Sequence, residues 1–184
     1  GTLQLAAAAG IDAASAATIQ SQALQAFGLD ASYAATAADV LANAANASSA
    51  EITDVAAGLQ QAGAVSKGFG LTLEDTSATL SLLANAGIAG SDAGTLLKSS
   101  LLAITDQGKP AQAAIKELGL TLYNTNGEFV GMSSLFGQLD DAAASMTPEL
   151  YQAATATLFG SDAMRLASVA AEQGKAGYDK MRDA

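Results

Sequence analysis

A chain of 184 residues with no histidine and no cysteine must draw any chemistry from carboxylates, amides, hydroxyls and its eight lysines and arginines. The missing His removes the commonest general base, and the missing Cys removes thiolate nucleophiles, zinc-thiolate sites and disulfides. Four places still carry residue types at suggestive spacing. Asn124-x-Asn126-Gly127 matches part of a calcium loop, but that loop needs a leading Asp and a bidentate Glu at its twelfth position, where this chain has Leu135 and Phe136. The stretch is read as a turn. Gly63-Ala64-Val65-Ser66-Lys67-Gly68 has the glycine spacing of a phosphate loop, yet Phe69-Gly70 stands where Lys-Ser/Thr must follow, so a triphosphate has no cation to meet. It reads as a connection between helices. Asp140-Asp141 is the best carboxylate pair, but neighbours on a helix point about 100° apart and do not share a substrate or a metal. Glu117 and Glu128, near the one irregular stretch, are the only acids placed for hydrolase chemistry, and neither has an evident partner. No catalytic residue, no cofactor site and no metal site is assigned.

The elements that position these residues read as mainly α, an array of short amphipathic helices. Starts fall near Asp12, Asp30, Ser49, Thr72, Ser91, Lys109, Ser133, Thr147 and Ser161, with Gly28, Gly70, Gly90, Gly119 and Gly160 at the breaks. Pro110 and Pro148 each follow a plausible cap, where a missing N–H does no harm. The clearest apolar stripe is Leu73, Thr76, Leu80 and Leu83; others are Ala93, Leu97, Leu101 and Ile104, then Leu135, Leu139, Ala142 and Met146, then Leu150, Ala154 and Leu158. Asp12, Asp30, Glu51, Glu74, Asp75, Asp92, Glu149 and Asp162 all fall in expected first turns, where the helix dipole favours negative charge, and Lys67 and Lys116 lie near helix ends. Around Asn126-Gly127 two β-favouring runs, Leu120–Asn124 and Glu128–Val130, predict one small β-hairpin with a type I′ turn. Gly28–Ala44 aligns without gaps on Gly70–Ala86, and Gly90-Ser91-Asp92-Ala93 recurs as Gly160-Ser161-Asp162-Ala163. This is either a true repeat of helical hairpins or a coincidence of an alanine-rich chain.

Half of the residues are hydrophobic but only 5% are aromatic, so Ala must fill close helix contacts around sparse Leu, Ile, Val, Phe and Met. The chain suits one helical domain over 1–184, or two subdomains over 1–105 and 106–184. Its formal net charge of −10 excludes nucleic-acid binding by clustered Lys and Arg. No apolar run approaches the roughly 20 residues that span a bilayer. Interfacial helices usually carry Lys, Arg and Trp, which are scarce or absent here, so membrane contact has no support in this segment. A chain that begins at Gly1 without Met and ends in the charged run Tyr178–Asp183 reads as a piece of something longer.

Phe27-Gly28-Leu29 through Ala47-Ser48, Gly58-Leu59, Gly70–Asp75, Leu83–Leu97, Glu117-Leu118-Gly119-Leu120 with Asn126-Gly127, and Leu158–Ala163 together resemble the core region of phage tail tape measure proteins, in the family's order and over most of the chain. The resemblance implies a virion structural component in the phage tail lumen, encoded by a phage or prophage, that sets tail length during tail assembly. It implies self-association and contact with tail tube or tail tip proteins, no catalysis, and an acidic surface suited to sharing a tube with DNA. It carries over no functional residues. The alternative is an envelope-acting segment that assists genome delivery.

Overall fold

One three-residue device ends a helix and starts the next at three places: Gly10-Ile11-Asp12, Gly28-Leu29-Asp30 and Gly70-Leu71-Thr72. In the computed structural model, which describes residues 1–184, these glycines have φ of 67°, 61° and 78°, a left-handed turn that glycine takes without Cβ strain. The next N–H then reaches back along the finished helix, from Ile11 to the Ala6 carbonyl at 3.1 Å, Leu29 to Leu24 at 2.9 Å and Leu71 to Ser66 at 3.0 Å. These bonds satisfy terminal carbonyls and tuck an apolar side chain under the helix end. The third residue caps the new helical turn: Asp12 accepts from the Ser15 N–H at 2.6 Å, Asp30 from the Ser32 N–H at 2.9 Å and Thr72 from the Asp75 N–H at 3.1 Å. Gly87-Ile88 and Gly119-Leu120 repeat the first two parts of the device.

The result is mainly α, as expected: α1 (Thr2–Ala9), α2 (Ala13–Ala26), a 3-10 turn (Ala31–Tyr33) leading into α3 (Ala34–Asn46), α4 (Ile52–Gly68), α5 (Leu73–Asn85), α6 (Gly90–Ala103), α7 (Lys109–Leu118), α8 (Met132–Ser145), α9 (Pro148–Phe159) and α10 (Met164–Arg182). Two expected starts shift, α4 to the cap Glu51 and α10 to Met164. The segments that align in the sequence become the turns into α3 and α5, each opening on a positive-φ glycine and a cap, although α3 is entered through the 3-10 turn and α5 directly.

The chain divides into two compact units, Gly1–Thr95 with Met181–Ala184, and Leu96–Lys180. In the first, α5 packs against α3 and α4, α2 packs against α4, and α1 lies on α2 and α3. The expected α5 stripe of Leu73, Thr76, Leu80 and Leu83 is buried, and burial extends beyond it to every residue from Thr76 to Ala84. Small hydroxyls make this possible: Thr76 donates to the Thr72 carbonyl at 2.9 Å, Thr79 to Asp75 at 3.0 Å and Ser81 to Ser77 at 2.9 Å. A polar face whose donors turn back on their own helix loses little on leaving water. Gly58 of α4 and Gly94 of α6 let two backbones meet, since a Cβ on Gly94 would stand 2.8 Å from the Gly58 Cα.

In the second unit α7 runs along α9, and α8 touches α9. Phe136 and Tyr178 meet at a ring-centroid distance of 5.3 Å, tilted by 55°. α10 breaks at Gly174 (φ 62°, ψ −170°), a conformation essentially reserved for glycine. The expected β-hairpin is not formed. Between Leu120 and Val130 there is no strand, only an isolated bridge of Tyr123 with Phe129. The Gly127 N–H bonds the Asn124 carbonyl at 3.0 Å, so Thr125 and Asn126 are the central turn residues, and only Gly127 has positive φ, at 79°. A type I′ turn needs two such residues. Leu120 and Leu122 are buried, and the backbone pairing across the turn is limited to the Asn124 N–H on the Glu128 carbonyl at 2.8 Å and the Val130 N–H on the Leu122 carbonyl at 3.0 Å, too little for a strand.

Candidate functional site

The structure scatters the residues singled out for chemistry. The Asn124 side-chain oxygen accepts from the backbone N–H of Asn126 at 2.9 Å and of Glu128 at 3.0 Å, which commits it to holding its own turn. Gly63–Gly68 lies inside α4, so its N–H groups serve the helix and form no cradle; Gly63 instead faces the Ala26 methyl. Asp140 and Asp141 are exposed on α8, Asp140 beside the Gly174 backbone. Glu117 is exposed on α7 and Glu128 is exposed in the turn. No three acidic side chains converge as a metal cluster.

Eight of the 18 acids hold helix ends. Asp12, Asp30 and Glu51 are caps, while Asp54, Glu74, Asp75, Asp92 and Glu149 sit in first turns. Asp162 precedes α10 and pairs with Arg165 at 2.8 Å. Asp75 is the most elaborate: it accepts from the Thr72 N–H at 3.1 Å and from Arg182 at 2.5 Å. Burial pushes its carboxyl up, but the Thr72 hydrogen bonds and the Arg182 guanidinium outweigh burial and hold it below 3.8. Tyr151 goes the other way, its phenol pushed up by burial and then by the nearby Asp140 charge, with its hydroxyl donating to the Ala167 carbonyl at 2.7 Å.

The first unit also carries an apolar groove of about 320 Å³, with Phe27, Leu29, Leu71 and Leu73 in its walls and Tyr33 and Lys67 among its lining. It joins the α2–α3 turn to the α4–α5 turn. Such a groove can seat an apolar side chain, with Lys67 and Glu74 as the charged groups of its lining. The sequence reading missed this groove, the Gly58–Gly94 crossing and the Asp75–Arg182 pair. For the crossing there was a signal, because glycines inside Ala56-Ala57-Gly58 and Ala93-Gly94 interrupt helical runs with no turn to form. For the other two there was none, since each joins residues far apart in the chain.

Acids at helix ends, alanine-filled contacts and an apolar groove define a segment built for helix packing. The chain belongs to the phage-related minor tail protein family, whose profile matches residues 1–160. Over all 184 residues it is 35% identical to the tape measure protein of Pneumococcus phage Dp-1, and it covers 16% of that protein's length. No solved structure matches it. It is a structural component of a phage tail.

Proposed function

We propose that this chain is a helical interaction segment of a tape measure protein, taking part in tail assembly and in setting tail length, and turning over no substrate. The observation that carries the reading is the likeness to the phage Dp-1 tape measure protein along the entire chain. The fold is consistent with it: no helix is long and apolar enough to cross a membrane, and the acidic groups support helix ends. Partners under this reading are further copies of the chain and proteins of the tail tube or tip. An array of this length has too little reach to span a tail, so the measuring length belongs to the longer protein, and this segment supplies association.

Light-scattering mass of the purified chain, alone and with liposomes, tests the proposal. A concentration-dependent oligomer that leaves liposomes untouched is the expected result. A monomer that binds liposomes and gains helicity would overturn it in favour of an envelope-acting segment.

A further inference from the structure

Few large apolar side chains stand in solvent. Leu3, Tyr33, Leu102, Tyr123 and Leu150 are the exposed ones. Tyr33 lies at the apolar groove of the first unit, and Lys67 is that groove's cation. Lys67 makes no ion pair and is the only basic residue among residues 1–95, on a surface otherwise acidic. A site with an apolar floor, an aromatic hydroxyl and one unmatched cation selects an aliphatic side chain carried next to a carboxylate. The chain presents one such knob. Leu150 is 49% exposed and follows Pro148 and Glu149 in the first turn of α9, and Glu149 makes no ion pair. Leu3 and Leu102 have no acid beside them.

We propose that the groove of one copy receives Leu150 of a second copy, with Glu149 of that copy paired to Lys67. The two surfaces differ, so the contact is head-to-tail, closing into a ring or running on as a row according to the rotation between copies. Glu74 also lines the groove, so the incoming acid is accepted only in register with Lys67, which fixes the polarity of the contact. The inference rests on the self-association reading above and names its surface.

Sedimentation of the whole chain with Lys67→Glu, Glu149→Lys and their combinations tests it. Each single variant weakens association about tenfold or more, and because each also reverses a charge that favours its own helix end, circular dichroism of the same samples confirms that the helices persist. An equimolar mixture of the two single variants, and the double variant, associate like the parent because opposite charges again face each other. If the parent associates and the single variants do so equally well, the groove assignment is wrong while self-association stands. If the parent is a monomer at every concentration, both fall. As a check without charge, Leu150→Ser weakens association to a similar degree under the proposal, and an unchanged Leu150→Ser would overturn it.

Discussion

The guanidinium of Arg182 lies 2.5 Å from the carboxylate of Asp75, 107 residues earlier in the chain. Asp75 is also half of the capping box that starts α5, the most buried helix of the first unit. One carboxylate therefore satisfies a helix N-terminus and anchors the chain's last residues to the unit that its first residues build. The pair is partly exposed, so its contribution is modest, about 0.5–1 kcal/mol. Arg182→Ala lowers stability by that amount in urea unfolding.

The same pair sets a pH dependence. The folded Asp75 carboxyl titrates below 3.8, so its stabilising effect is complete above that value and is lost as pH falls through the depressed folded value. Acid titrations followed by circular dichroism show Arg182→Ala losing helicity at a higher pH than the parent. Coincident acid transitions would mean that Asp75 is held by Thr72 alone.

At the α4–α6 crossing, Gly94→Ala is the more damaging of two substitutions. Its methyl meets the Gly58 Cα at 2.8 Å, which is backbone and cannot yield, whereas a methyl on Gly58 meets the movable methyls of Leu80 at 2.8 and 2.9 Å. Overpacking of this kind costs about 1–3 kcal/mol. Thermal melts rank Gly94→Ala below Gly58→Ala and both below the parent.

Two glycines near the end of α4 answer in opposite directions. Gly70, at φ 78°, is destabilised by alanine by about 1–2 kcal/mol, because the left-handed turn crowds a Cβ. Gly68 is helical with no atom within 4 Å of its added Cβ, and Gly68→Ala stabilises by about 0.5–1 kcal/mol through helix propensity. Chemical denaturation of both variants checks the sign.

Tyr151 supplies a test of the second unit. Its buried hydroxyl donates to the Ala167 carbonyl, so Tyr151→Phe costs about 0.5–1.5 kcal/mol through loss of that buried hydrogen bond. Because its folded value is raised above 10, the phenol stabilises fully below that pH and loses this contribution as pH climbs through the folded value. In ultraviolet titration Tyr151→Phe removes one of the late tyrosine ionisations that the parent shows.

How much of this was legible in the sequence depends on how local the physics is. Gly28-Leu29-Asp30 and Gly70-Leu71-Thr72 declare a helix end, an apolar tuck and a cap within three residues, so the breaks could be placed. α5 could not be read so well. Its stripe of Leu73, Thr76, Leu80 and Leu83 is real, but Ser77, Thr79 and Ser81 are buried as well; Thr79 and Ser81 satisfy their hydroxyls on the preceding turn, while the Ser77 hydroxyl has no partner. The hairpin was over-read because Asn126-Gly127 was judged apart from the fate of Leu120 and Leu122. The role of the acids as helix caps was visible residue by residue. The groove was not, because Phe27 and Leu71 meet only once α2 has packed on α4.

The most direct test of the account lies in the virion. Deleting this segment in frame from the tail protein of a phage that encodes it, and measuring particles by electron microscopy, should give tailless heads or tails of altered length, as expected for a structural segment used in assembly. Tails of parental length on fully infectious particles would contradict the central claim.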